Sequence, residues 1–265
     1  MRNKGLIITL IILLSIIIFF LIILLVGCLK GGINFKNGFI SIGSKSTDVV
    51  FDKQFELKDI KNIEIKQNSG DITFKETTNN YVQVVIYGEN KDDVQVNLSN
   101  GKLDINYTNK KNYAFFNFGG IKNDIIVYVP SNYSNEIAIK NDYGNCKITD
   151  LEKATVNIDC DAGDVELEKV NNATIKCDYG NIEIKEIMNK CNIKANCGNI
   201  KIGSMLIKEN STIKADLGNV NIDNTNDIYI DVDVDLGNTN INKNNRNSDV
   251  TLKINCNCGN VIINN

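Results

Sequence analysis

The sequence predicts an all-β protein: a parallel β-solenoid with coils of about 19 residues, a partly antiparallel N-terminal β region, and one transmembrane helix ahead of both. Three observations predict it. A turn motif, Asp/Asn–any residue–Gly–Asn/Asp, recurs through the C-terminal half. Apolar residues keep fixed positions around each of its glycines. A long apolar run occupies the start of the chain.

The turn glycines are Gly144, Gly163, Gly180, Gly198, Gly218, Gly237 and Gly259, spaced by 19, 17, 18, 20, 19 and 22 residues. An outlying copy sits at Gly70. Five residues before the glycine stand Ile139, Ile158, Ile175, Ile193, Ile213, Val232 and Ile254; four after it stand Ile148, Leu167, Ile184, Ile202, Ile222, Ile241 and Ile263. The position three before is mostly small: Asn141, Cys160, Cys177, Ala195, Ala215, Val234 and Cys256. Polar residues fill most places between. This alternation on both sides of a turn gives two short strands per copy, each with one buried face. Glycine supplies the positive φ, and the flanking Asp and Asn hydrogen-bond nearby backbone. Independent hairpins do not require the same residue class in the same column seven times, whereas stacked coils do. A strand spacing of about 4.8 Å makes the solenoid roughly 30–35 Å long. Leu151, Val170, Ile187 and Met205, seven residues after the glycine, add a third inward side. That column becomes Thr225 and Asn244, so the last coils are expected to be looser or two-sided.

From the start, the chain divides into an anchor at 1–30, a stalk at 31–60, an N-terminal β region or cap at 61–130 and repeats at 131–265. Gly5 to Val26 is a 22-residue run interrupted only by Thr9 and Ser15. As a helix it spans about 33 Å, enough for a bilayer core. Leu25-Val26-Gly27-Cys28 also fits a lipoprotein cleavage site, with Cys28 as the lipidated residue. Either way the membrane is a partner. Arg2 and Lys4 before the run favour the N-terminus inside and the β domain extracellular.

Ile63–Ile65 and Ile72–Phe74 flank Gly70 as an early coil. Tyr81–Tyr87, Val94–Leu98, Lys102–Tyr107 and Asp124–Val129 read as further strands, with Asn100-Gly101 a hairpin turn. The aromatic stretch Tyr113–Gly120 reads as a cap over the open end of the solenoid or as a partner-binding loop. Pro130 marks the boundary into the repeats.

Composition excludes several function classes. The net charge is −3, with no basic patch, which removes nucleic acid as a partner. The chain has no histidine, hence no Ser–His or Cys–His pair and no histidine base. No nucleotide motif appears and nothing requires a cofactor. Catalytic and metal residues are therefore expected to be absent. Seven of the eight cysteines lie in the repeats, where Ala, Leu and Val replace them in the same columns, so they read as small hydrophobes. Cys160 and Cys177 fall on neighbouring coils, the one pairing considered for a disulfide. So many thiols fit a reducing habitat outside the cell, or a β domain on the cytoplasmic side. Asp227, Asp231, Asp233 and Asp235 share an outward face, and Asp216 and Asp235 are expected to stack on consecutive coils; the alternatives are a solvated face and a calcium ladder.

The anchor, the Ser69-Gly70-Asp71-Ile72 opening, the Ile125–Pro130 strand and the tandem Gly-Asn/Asp units together resemble a bacterial adhesin-domain family of β-strand-repeat proteins, also described as a domain of unknown function. The resemblance covers roughly residues 60–265. It implies a β-solenoid at the cell envelope and supplies no catalytic residues. The expected function is a non-enzymatic, membrane-anchored module that binds a protein or glycan, or senses the envelope. The alternative is a scaffold that self-associates end to end at the membrane, on the cytoplasmic face in one version.

Overall fold

A computed structural model describes residues 14, 18, 33–36, 39–42, 48–88, 90–108 and 123–264. Contacts divide the chain into two units, Met1–Ser46 with Lys111–Lys122, and Thr47–Lys110 with Asn123–Asn265. In the first unit, Ile33–Lys36 pairs antiparallel with Phe39–Ile42. Leu14 and Ile18 are helical. Among the described residues no helix is long and apolar enough to cross a membrane. The remainder of the predicted anchor, Cys28 and the Tyr113–Gly120 stretch lie outside the described residues.

The second unit is all-β, with 19 strands joined in one sheet. Its repeats stack in parallel and in register. Ile65 pairs with Ile139, Ile139 with Ile158, Ile158 with Ile175, and Ile175 with Ile193. Ile193 then pairs with Ile213. Alternation puts this column inside, where it is at most 4% exposed. Each such burial stabilises by about 1.5–3 kcal/mol, and no coil obtains it without a neighbour.

The order of the last coils departs from the sequence. Ile213 pairs with Ile254, not Val232, and Val232 pairs with Ile254 from the other side. The Gly259 coil thus lies between the Gly218 and Gly237 coils. The expected Asp216–Asp235 stacking is corrected accordingly: Asn257 Nδ2 donates to Asp216 at 3.0 Å. Burial gives the reason. Leu252, Ile254, Cys256, Val261 and Ile263 are buried in the interposed coil, while Val232, Val234 and Ile241 in the outer coil are only partly buried. The outer coil carries Asp231, Asp233 and Asp235, all exposed. Placing the acidic coil outermost keeps three carboxylates in water. It also charges an edge on which no described strand pairs, which disfavours addition of a like-charged strand.

The third side persists further than the column suggested. Thr225 is buried, and Asn244 closes the outer coil by donating to Ile230 O and accepting from Ile230 N.

At the other end, Asn62–Gln67 pairs with Lys102–Tyr107 and Ile72–Thr77 with Ile125–Pro130, both parallel. Antiparallel strands continue each side. Val94–Ser99 joins Lys102–Tyr107 through Asn100 and Gly101, both at positive φ. Tyr81–Tyr87 pairs with Ile125–Pro130, and Val49–Glu56 pairs with Tyr81–Tyr87. Residues 49–60, assigned above to a stalk, therefore include a strand of the main sheet, and Phe55 and Ile60 are buried.

Candidate functional site: the turn spine and the faces beside it

Each turn glycine stacks on the one in the next coil. Their φ values run from +131° to +157°. A Cβ on Gly180 would overlap the carbonyl oxygen of Gly163, and one on Gly163 that of Gly144. The same overlap links Gly144 to Gly70, Gly198 to Gly180, Gly218 to Gly198, Gly259 to Gly218 and Gly237 to Gly259. Glycine is required here twice over, by conformation and by close approach.

The residue after each glycine builds a second ladder. The Oδ1 of Asp124 accepts from the backbone N–H of Asp71, Asp71 Oδ1 from Asn145, Asn145 from Asp164, and Asp164 from Asn181. It continues through Asn199 and Asn219 to Asn260 and ends on Asn238, every bond between 2.8 and 3.0 Å. Sequence reading assigned these side chains to their own turns; they bridge coils instead. Each bond contributes about 1 kcal/mol net.

The position three before the glycine serves the inward glycine carbonyls. Asn141 Nδ2 donates to Gly70 O and Gly144 O. Cys160 Sγ does the same for Gly144 and Gly163, and Cys177 Sγ for Gly163 and Gly180, at 3.5 to 3.8 Å. The cysteines are therefore weak donors as well as small hydrophobes. The seven repeat cysteines are free thiols. Hydrogen bonding with Cys146, then burial, raises the Cys160 thiol well above its ordinary range; contact with Cys160 and burial do so for Cys177. Burial pushes Cys191 up to about 12. Since the thiolate is the reactive form, a maleimide at pH 7 should label Cys197 and Cys258, which are partly exposed. Cys146, Cys160, Cys177, Cys191 and Cys256 should stay unlabelled until denaturant is added, as peptide mass mapping would read.

Two surfaces flank this spine. The first is a shallow trench of about 450 Å³ on the outer face of the strands before the turn. Ala138, Asn157, Thr174 and Asn192 line it in one row, and Lys66, Lys140, Asp159, Lys176, Lys194 and Lys214 in another. Lys176 bridges Asp159 at 3.2 Å and Asp178 at 3.3 Å, which raises its pKa. Lys102, then Lys66, lowers the pKa of Glu64. Lys140, Lys194 and Lys214 are exposed and enter no ion pair among the described residues. The row carries both signs, with Asp159 among the lysines, and the coil order sets Asn255 rather than Asp233 beside Lys214, leaving Asp233 at the far edge.

The second is a ridge formed by the residue before each glycine. In spatial order it reads Tyr143, Ala162, Tyr179, Cys197, Leu217, Cys258 and Leu236. Apart from its two cysteines it drew no notice in the sequence. The available signal was an apolar column at a turn position, where polar residues belong. Among the described residues, no group of three His, Cys, Asp or Glu side chains is placed to hold a metal ion, and Asp231, Asp233 and Asp235 line an open edge.

The model of the Toastrack family, DUF4097, matches residues 60–264. Among solved structures, a candidate adhesin from Bacteroides fragilis is similar over 82% of this chain and 97% of its own, at 14% identity and a TM-score of 0.52. A candidate adhesin from Parabacteroides merdae covers 82% of this chain and 98% of its own at 12% identity, with a TM-score of 0.43. A candidate lipid-binding protein from Parabacteroides distasonis covers 80% and 96% at 13% identity, with a TM-score of 0.41. No curated protein matches the chain.

Proposed function

The chain belongs to the Toastrack family, and on that premise we propose that it is a non-enzymatic, adhesin-like binding module of the cell envelope. In this reading Gly5–Val26 tethers it to the membrane, the repeat unit lies outside the cell, and the trench takes the ligand. The observation that carries the reading is the repetition in the trench. Successive coils offer an amide, hydroxyl or ammonium group at a pitch of about 4.8 Å. A rigid row of this kind suits an extended polymer that presents oxygen acceptors at a similar interval, as a glycan chain does. The three ammonium groups outside ion pairs are the ones free to donate to it. Nothing in the row resembles an acid–base pair set about a bond to be cleaved.

The test combines topology with binding. A tag after Asn265 should be reached by antibody on intact, wall-stripped cells. The full chain should retain envelope polysaccharide on a column. The variant Lys140→Ala/Lys194→Ala/Lys214→Ala should lose at least about tenfold in affinity, because charge-assisted hydrogen bonds contribute about 1.5–3 kcal/mol each. Its thermal midpoint should barely move, since all three side chains are exposed. Undiminished retention by the triple variant would remove the trench from the proposal.

A further inference from the structure

We propose that two copies of this chain associate side by side and parallel, joined along the ridge that precedes the turn glycines. The ridge is exposed where it is largest: Tyr143 is 65% accessible, Tyr179 58%, Leu217 54% and Leu236 69%. Seven coils at about 4.8 Å make it about 29 Å long. A continuous apolar line of that length on a rigid edge marks an interaction surface.

The borders of the ridge select the occupant. On one side runs the residue two before each glycine, where five of seven coils carry a carboxylate: Asp142, Asp161, Asp178, Asp216 and Asp235. On the other runs the residue after the glycine, which is Asn in six of the same seven coils. A two-fold axis along the ridge lays the acidic border of each copy against the amide border of the other. The Nδ2 groups of Asn181, Asn199, Asn219 and Asn238 each give one hydrogen to the neighbouring coil, and the second is the one that donates across the interface to Asp. Along the ridge, like meets like: Leu217 on Leu217, Tyr179 on Tyr179, Cys197 on Cys197. An isologous contact of this kind is self-complementary by construction. The antiparallel alternative sets the two acidic borders face to face, where like charges repel. An anionic membrane surface meets the same row of carboxylates and is disfavoured for the same reason.

The contact is narrow. A ridge this long and one side chain wide buries a few hundred Å² per copy, below the roughly 800 Å² per partner of a standard stable interface. The association is therefore reversible, and its detection needs a trap. The ridge contains one: Cys197 and Cys258 are the two repeat cysteines that are not buried. At a two-fold axis, Cys197 meets its own copy and so does Cys258.

The experiment uses the full chain with Cys28→Ser, oxidised by diamide over a concentration series. Diamide takes up the two protons and two electrons released as each pair of thiols closes. Covalent dimer should rise with concentration, and mass mapping should find Cys197–Cys197 and Cys258–Cys258 links. Leu217→Lys, which changes only an exposed side chain, should reduce dimer at least about tenfold with an unchanged melting temperature. Tyr179→Lys should do the same. Mixed Cys197–Cys258 links would mean an antiparallel pair and overturn the proposal. So would dimer yield indifferent to Leu217→Lys, or no dimer at any concentration. Ligand binding in the trench is unaffected by either variant, so this inference and the proposed function fail separately.

Discussion

Replacing Gly259 with alanine should destabilise the chain far more than the same change at Gly237, although Gly259 is nearer the end of the sequence. The structure places the Gly259 coil between two others and the Gly237 coil outermost. At both sites an added Cβ overlaps a backbone oxygen, Gly218 O in one case and Gly259 O in the other. Both φ values, +157° and +154°, are strained for any residue with a Cβ. The local cost is about 1–3 kcal/mol for conformation and about 1–3 kcal/mol for overlap. What differs is the escape. At Gly237 only the outer coil needs to fray, and that coil is already partly exposed at Val232, Val234 and Ile241. At Gly259, relief separates two coils that carry Leu252, Ile254 and Val261 between them. Stability in a stack is a sum over neighbours, so an interior break costs two interfaces and an edge break costs one. Gly259→Ala should lose at least about 4 kcal/mol, a large part of a typical folding free energy, and Gly237→Ala about half of that or less. Gly180→Ala should resemble Gly259→Ala. Urea unfolding followed by circular dichroism ranks the three. If the coils stacked in sequence order, Gly237→Ala would be the worse of the pair.

That ranking also locates the boundary of what the residues alone disclose. Which side chains point inward was legible, because alternation about a turn glycine leaves two choices and only one buries Ile175 and Ile184. The rise per coil was legible for the same reason. Neighbour identity was not. The Gly237 and Gly259 coils carry the same columns, and either satisfies the coil below it. The preference arises from Asp231, Asp233 and Asp235, which one coil carries and the other lacks, and from a 22-residue spacing that leaves room to turn back. The N-terminal strands were recognised individually from β-branched and aromatic alternation. Their antiparallel partners, such as Val49–Glu56 against Tyr81–Tyr87, depend on contacts that no local pattern encodes. The faces beside the spine were the least legible. Lys194 and Lys214 already share a column in chain order; what the coil order adds is the next neighbour, Asn255 rather than Asp233 beside Lys214, and Cys258 between Leu217 and Leu236.

Raising the pH from 8 to 10 under reducing conditions should destabilise the fold steeply, and the buried thiols should account for it. Cys160, Cys177, Cys191 and Cys256 all have raised pKa values. Contact with Cys146 leads for Cys160, contact with Cys160 leads for Cys177, and burial leads for the other two. In the unfolded chain each thiol titrates near 8.5. Above that value the unfolded state loses protons that the folded state keeps, so stability falls as pH rises. The contribution is complete below the unfolded pKa and disappears as pH passes through the folded one, which for Cys191 is about 12. Each thiol contributes a slope of about 1.4 kcal/mol per pH unit once its unfolded form is ionised. Tyr133 and the paired lysines Lys66, Lys176 and Lys185 also have raised values, but their ordinary ranges begin near 10, so the window from 8.5 to 10 belongs to the thiols. Cys177→Ala separates two effects. At pH 7 it should be less stable than the parent, because Gly163 O and Gly180 O lose a donor. Its pH slope should be shallower by one proton, so the two stability curves converge as pH rises. Thermal melts from pH 7 to 10 would show the convergence. Parallel curves would mean that Cys177 ionises equally in both states and is not held as a neutral donor beneath the turn.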